Sequence, residues 1–167
     1  MSADDEFVAY ARAAAPRLRQ TAYLLCRDWH LAQDFAQTTL AKMFVNWKRI
    51  DRRDNPDAYG RKVLLRVFLD HQRRAGSREL VVDRVRETAA RPGEPELRLT
   101  LIEALAHIPA RDRAIVVLRY WEDQSVDAVA EVLGVSAATV KSQSARSLTR
   151  LRTLLGDDAA ALAGLRD

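Results

Sequence analysis

Between Ala137 and Leu155 the chain carries four basic residues, Lys141, Arg146, Arg150 and Arg152, and no acidic one. Cations at that density on one short stretch have an evident chemistry, the holding of phosphate groups. On a helical wheel Val140, Ser144, Ser147, Leu148, Leu151 and Leu155 fall on one side, and Ala138, Thr139, Ser142, Arg146, Thr149 and Arg150 on the other. A second basic set lies between Lys48 and Arg74, where Arg49, Arg52, Lys62, Arg66, Arg73 and Arg74 accompany Asn55 and Tyr59. Cations that hold a backbone beside a ring that stacks on a base are what a single-stranded nucleic-acid surface needs. The same composition equally describes a solvated basic face with Tyr59 turned into the core.

Other chemistries lack their residues. No phosphate-binding loop, Gly-rich dinucleotide turn, or nucleophile with a supporting base is present. The single cysteine, Cys26, sits among Tyr23, Leu24 and Leu25 and reads as a small buried hydrophobe. His30, His71 and His107 have no ligand spacing to one another or to Cys26. The expectation is a protein that is not an enzyme, with no cofactor, no metal and no catalytic residue.

The elements that must position the first basic set are legible around it. Val126, Val129, Ala130 and Leu133 recur at helical spacing, and Gly134 supplies the residue without a β-carbon that a tight turn after a helix favours. Ser136 stands where the N-cap of the next helix belongs. A short helix, a glycine turn and a longer helix over Ser125 to Leu155 make a helix-turn-helix, whose second helix enters the DNA major groove. A two-helix corner in an ordinary helical protein is the plainer alternative.

Upstream, almost every apolar run keeps a period near 3.6, so the fold class is all-α. Helices are predicted at Asp4 to Ala14, ahead of Pro16, and at Arg17 to Cys26. A third, from His30 to Trp47, sets Ala36, Leu40, Met43, Phe44 and Trp47 on a core face and Gln33, Asp34, Gln37, Thr38 and Ala41 on a polar one. After the charged loop from Lys48 to Pro56, a helix from Asp57 to Ala75 turns Leu64, Val67, Phe68 and His71 inward and Lys62, Arg66 and Arg73 to another face. Glu79 to Glu96, with Arg91 to Pro95 breaking any helix, reads as a linker, although Leu80 to Val85 could extend the first domain. Helix resumes from Glu96 to Ala106, with Leu97, Leu101, Ile102 and Leu105 as its stripe, and Pro109 opens another that supplies core from Ile115 to Trp121. The residues after Gly156 read as a frayed end. The division is therefore two small helical domains, 1–78 and 97–156, a linker at 79–96 and a tail at 157–167.

The 167 residues carry a net charge of +4, which by itself separates no class of protein from another. Its distribution is informative: Lys48 to Arg78 holds ten basic against four acidic residues, whereas Met1 to Trp47 is balanced. No apolar run is long enough to span a bilayer and the acidic N-terminus is unlike a signal peptide, which predicts a cytoplasmic protein.

Taken together, a helical half with a polar-faced helix and a basic loop-helix, then a linker, then a helix-turn-helix, resembles the bacterial RNA polymerase sigma factors of the extracytoplasmic-function group over nearly the whole chain. Gln33 to Leu40 is similar to that family's acidic "DLVQE" segment, followed by Asn46-Trp47 in place of its Ala-Trp or Val-Trp pair. Pro56-Asp57-Ala58-Tyr59 and Arg73-Arg74 resemble its Pro-x-Ala-Tyr and Arg-Arg pattern. Ala104-Leu105 through Ile108-Pro109, Arg113, Leu118-Arg119-Tyr120, and Thr139 to Ser142 with Arg146 resemble its C-terminal signature. Gln143 and the Arg73-Arg74 neighbourhood lean toward a SigE-like subgroup.

The resemblance implies regions of the sigma region 2 and region 4 types, the latter without a wing. It implies partners in core RNA polymerase and promoter DNA, a possible anti-sigma factor, and a monomer when free. It places the polymerase contact on Asp34, Gln37 and Thr38. The minus-ten element falls to Arg49, Arg52, Asn55, Tyr59, Lys62, Arg66, Arg73 and Arg74. The minus-thirty-five element falls to Ser136, Ala138, Thr139, Lys141, Ser142, Gln143 and Arg146. Two departures stand out: the family's flanking acidic positions are Gln33 and Thr38 here, and Arg66 stands where Asn is common. Arg adds a phosphate contact but accepts no hydrogen bond. The rival reading is a stand-alone transcriptional regulator that uses the helix-turn-helix as a dimer on a palindrome.

Overall fold

The computed structural model describes residues 1–50, 55–79 and 88–165, and every regular element among them is helical. The chain divides into two compact units, residues 1–89 and 90–167.

In the first unit, α1 (Ala3–Cys26) opens on a reciprocal cap, in which Ser2 Oγ accepts the Asp5 N–H and the Asp5 carboxylate accepts the Ser2 N–H. Those hydrogen bonds from Ser2 hold the Asp5 carboxyl below its ordinary pKa. The break expected at Pro16 does not occur, and α1 runs through it as one helix. Proline removes the donor that would reach the Arg12 carbonyl. Both Pro16 and Arg12 lie on the exposed side, where water can take that carbonyl, while Ala14, Leu18, Ala22 and Leu25 keep the opposite face buried. α2 (Trp29–Asn46) starts on Asp28, whose Oδ1 accepts the His30 and Leu31 N–H groups, both at 3.0 Å.

α2 buries Ala32, Phe35, Ala36, Leu40 and Met43, but Phe44, expected in the core, is 48% exposed. It lies at the edge of an aromatic cluster, 5.1 Å from Phe7, which in turn meets Trp47 at 5.3 Å. Cys26 is only partly buried, its Sγ donating to the Asp28 carbonyl. α3 (Pro56–Glu79) packs Val63, Leu64, Leu65, Val67 and Phe68 inward, with His71 half-buried and edge-on to Phe35. Its close seat on α1 and α2 depends on Gly60, where a β-carbon would come within 3.3 Å of both Met43 Sδ and Tyr10 Oη.

In the second unit, α4 (Glu96–Ala106) and α5 (Ala110–Val116) form a corner. α4 buries Leu101, Ile102, Ala104 and Leu105, but Leu97 in its first turn is half exposed. α5 continues into a π-helical turn, Val117–Trp121, closed by the Glu122 N–H donating five residues back to the Val117 carbonyl. Val117 and Leu118 join the core, whereas Tyr120 and Trp121 reach only its edge. Arg91 to Pro95 breaks the helix as expected and is ordered: Glu94 pairs with Arg91 at 3.4 Å and with Arg98 at 3.8 Å, and the Arg98 guanidinium lies over the Trp121 ring.

α6 (Val126–Leu133) and α7 (Ala137–Leu155) complete the unit. The last ten described residues are also not frayed. Gly156–Leu165 is 3-10 helical with a kink at Asp158, and it packs against α4 and α7 with Ala161 buried. An alanine-rich stretch sacrifices little side-chain entropy on ordering, and its contacts with α4 and α7 offset the backbone cost. The proposed extension at Leu80 to Val85 lies outside the described residues.

Candidate nucleic-acid interface

The helix-turn-helix is assembled by its caps. Ser125 Oγ accepts the Ala128 N–H at 3.0 Å and starts α6. Gly134 ends it at φ 66°, a left-handed conformation that lets the Val135 N–H return to the Ala130 carbonyl at 3.1 Å. Ser136 Oγ then accepts the Thr139 N–H at 3.1 Å and shares a hydrogen bond with the Thr139 hydroxyl at 2.8 Å. Ser136 and Thr139 are thus first of all the parts that start α7. Replacing Ser136 with alanine is expected to cost about 1 kcal/mol of stability, measured by urea unfolding, with partial loss of duplex binding.

The wheel expected for α7 is realised except at Thr139, which was placed outward and is half-buried. Val140, Ser144, Ser147, Leu151 and Leu155 are buried and Leu148 is half-buried, while Ala138, Lys141, Ser142, Arg146, Thr149 and Arg150 are exposed. Of the two serines on the buried side, Ser144 meets its burial within the helix, its Oγ donating to the Val140 carbonyl at 2.6 Å. On the exposed side, Lys141, Arg146, Arg150 and Arg152 form no ion pair with any described residue, so their charges are uncommitted. Gln143 behaves differently from its neighbours. It is half-buried, and its amide oxygen lies inside with no hydrogen-bond partner among the described residues.

The basic loop-helix of the first unit is less uniform. Trp47–Arg49 is a 3-10 turn that leaves Arg49 exposed, and Ile50 is buried beneath it. Arg52 lies outside the described residues. Asn55 is exposed and its Oδ1 accepts the Asp57 N–H at 3.0 Å, capping the start of α3. The same turn is fixed to α1 by the Tyr10 phenol, which donates to Asp57 Oδ1 at 3.0 Å; burial, and then the carboxylate, push the Tyr10 pKa far above its ordinary value. Along α3, Tyr59, Lys62, Arg66 and Arg73 share one stripe by spacing, Tyr59 and Lys62 half-buried and Arg66 and Arg73 exposed. Arg73 is paired with Asp70, and exposed Arg74 donates its Nε–H to the Asp70 carbonyl at 3.4 Å. These two arginines are therefore partly committed, unlike those of α7.

On α2, Asp34, Gln37 and Thr38 are exposed together, and Gln33 is half-buried at their margin. The same outward face continues through Ala41 and Lys42 to Val45, which is 79% exposed. Sequence patterning assigned Val45 to neither face. An aliphatic residue that continues a polar stripe, seven positions past Thr38 on a helix, was the available signal. Among the described residues no cluster of three or more His, Cys, Asp or Glu side chains could hold a metal ion, and no helix is long and apolar enough to cross a membrane.

Comparison with known proteins fits both units. Residues 10–78 match "Sigma-70 region 2" and residues 98–151 match "Sigma-70, region 4". The RNA polymerase sigma-E factor of Streptomyces coelicolor is 34% identical over 88% of this chain and 84% of its own length. The chain belongs to the sigma-70 family. Within that family it is an extracytoplasmic-function sigma factor, similar also to SigV of Bacillus subtilis, 27% identical over 74% of this chain and 75% of that protein. Among solved structures, the sigma factor RpoE of Bartonella quintana, in complex with the anti-sigma factor NepR, superposes with a TM-score of 0.75 at 25% identity, covering 90% of this chain and 96% of that one. An alternative sigma factor binds core RNA polymerase and directs it to promoter DNA.

Proposed function

We propose the following division of labour within this sigma factor. The exposed face of α2, with Asp34, Gln37 and Thr38, meets core polymerase. The Lys48 to Arg74 segment takes the minus-ten element through Arg49, Arg52, Asn55, Tyr59, Lys62, Arg66, Arg73 and Arg74 and assists its opening. α7 reads the minus-thirty-five element through Ala138, Thr139, Lys141, Ser142, Gln143 and Arg146, with Ser136 at its cap. The observation that carries this reading is α7 itself: a capped helix with a buried apolar side and an exposed basic side whose charges have no ion-pair partner among the described residues. Each unit is small, and joining two weak readers through one chain raises the effective concentration of the second once the first is bound.

The factor has no catalytic chemistry of its own in this reading and is a cytoplasmic monomer when free. RpoE was solved with an anti-sigma factor, and we extend that class of partner to this chain.

Asp34 is the one carboxylate on the α2 face, between Gln33 and Thr38. Asp34→Ala is expected to weaken competition for core polymerase roughly 3- to 10-fold. Promoter choice by the complexes that still form is expected to stay the same. A variant that competes as well as the wild type while remaining folded would remove Asp34 from the polymerase face.

A further inference from the structure

One residue of α1 touches both ends of the connection between α2 and α3. The Tyr10 ring lies 5.2 Å from the ring of Trp47, which follows α2 and opens the 3-10 turn that carries Arg49. The Tyr10 hydroxyl donates to Asp57 Oδ1 at 3.0 Å, in the first turn of α3. We propose that Tyr10 is a positioning residue for promoter opening: it clasps these two ends and so presets Arg49 and Asn55 to receive the displaced strand of the minus-ten element. The proposal rests on the reading of the Lys48 to Arg74 segment as the minus-ten surface, and adds to it a residue of α1 that acts through Trp47 and Asp57 rather than on DNA.

A cleft of about 220 Å³ is lined by Trp47 and Ile50 from one end, Pro56 from the other and Glu6 from α1, so the two ends meet around open space and α1 supplies the link across it. Phe7 and Tyr10, three residues apart and so on one side of α1, both meet the Trp47 ring, Phe7 edge-on at 5.3 Å. Tyr10 goes on to α3. Its hydroxyl passes over Gly60, where a β-carbon would stand within 3.3 Å of the phenol oxygen, so the glycine keeps that path open. Asp57 in turn gives its backbone N–H to Asn55 Oδ1 at 3.0 Å. The Asn55 amide oxygen is thereby spent on the cap of α3, and its NH2 group is the part that remains for a base or a phosphate. Asn55 is exposed, so that group is open to a ligand, and a shift of Asp57 would carry it along. Burial, and then the Asp57 carboxylate, keep the Tyr10 phenol protonated, so it stays a donor. A surface already held in its bound shape loses less binding energy to ordering, which is what a clasp on both ends contributes.

The test uses holoenzyme assembled from the full chain and core polymerase. The probe is a labelled single-stranded oligonucleotide carrying the non-template minus-ten segment of a promoter mapped by transcription. Tyr10→Phe keeps the ring on Trp47 and removes the hydroxyl; it is expected to weaken strand binding about 3- to 10-fold while competition for core polymerase stays at the wild-type level. Both readouts depend on the first unit, so a mere loss of its stability would lower them together. Asp57→Ala is expected to show the same loss, and the double variant no more than either alone. Asp57→Asn, whose side-chain oxygen still accepts from the phenol, is expected to retain binding. Circular dichroism verifies folding, and should Tyr10→Phe not fold, Asp57→Ala against Asp57→Asn decides in its place. A folded Tyr10→Phe chain with wild-type strand affinity would overturn the proposal, as would equal losses in strand binding and core competition. Arg49→Ala tests the underlying reading: unchanged strand affinity there would move the minus-ten surface elsewhere and take the proposal with it, whereas a loss at Arg49 without one at Tyr10 would remove the clasp alone.

Discussion

Replacing Arg113 with alanine is expected to destabilise the second unit by about 3 kcal/mol, because its guanidinium is buried and donates to three backbone carbonyls. Arg113 is 9% exposed. Its Nε donates to the Leu105 carbonyl at 2.8 Å, and one terminal nitrogen donates to the Ile108 carbonyl at 3.0 Å and the Ala106 carbonyl at 3.4 Å. These carbonyls belong to the last turn of α4 and the turn beyond it, so one side chain from α5 ties the C-terminus of α4 to that turn. The positive charge also suits the negative end of the helix dipole. Alanine would take a donor from each of these carbonyls, the Leu105 carbonyl alone keeping a backbone partner in the Ile108 N–H at 3.1 Å. For a unit of this size the loss corresponds to a fall of about 12–24 °C in its melting temperature. Arg113→Lys keeps the charge and loses the planar fork, so it is expected to fall between wild type and alanine. Calorimetry of the full chain, with hydrogen exchange to assign each transition to its unit, would reveal the effect; an unchanged second unit would show that the guanidinium network is dispensable.

The second large effect is on function. Arg146→Ala is expected to reduce promoter use about 5- to 150-fold at promoters that carry the preferred upstream element, the range of about 1–3 kcal/mol expected for a lost base-edge pair. Arg146 is exposed on α7 and has no ion pair with a described residue, so its removal takes nothing from the core. Loss at Arg146 should depend on the sequence of the upstream element, because a side chain that reaches base edges discriminates among them. Transcription from promoters randomised across the upstream element would show that dependence, and a loss independent of sequence would reduce Arg146 to a phosphate contact.

The parts of the fold governed by local rules were legible in the sequence. Gly134, Ser136 and Pro56 are each found at the helix end their chemistry implies, and Glu96 to Ala106 forms a helix over those residues. The departures come from what surrounds a helix rather than from the helix. Pro16 implies a break because the lost hydrogen bond is a local fact, while the exposure of the Arg12 side that makes the loss tolerable is a tertiary one. Phe44 fits an apolar stripe by spacing, yet the neighbouring helices stop short of covering it.

The candidate sites divide in the same way. Periodicity sufficed to set Asp34, Gln37 and Thr38 outward, and likewise Ser142 and Arg146. Side-chain partners were beyond it: Arg73 is held by Asp70, Asn55 caps α3, and the Gln143 amide oxygen is turned inside. Nor does an α-helical period reveal the π-helical turn at Val117–Trp121.

The central claim is that the chain positions core polymerase rather than acting alone on DNA. In-vitro transcription with purified core enzyme, with and without the chain, followed by mapping of the start sites, tests it most directly. Transcripts that begin at discrete sites only when the chain is added, each preceded by a shared pair of upstream elements, are the predicted result. A chain that leaves the core enzyme's output unchanged, and instead binds palindromic duplex as a dimer, would contradict it.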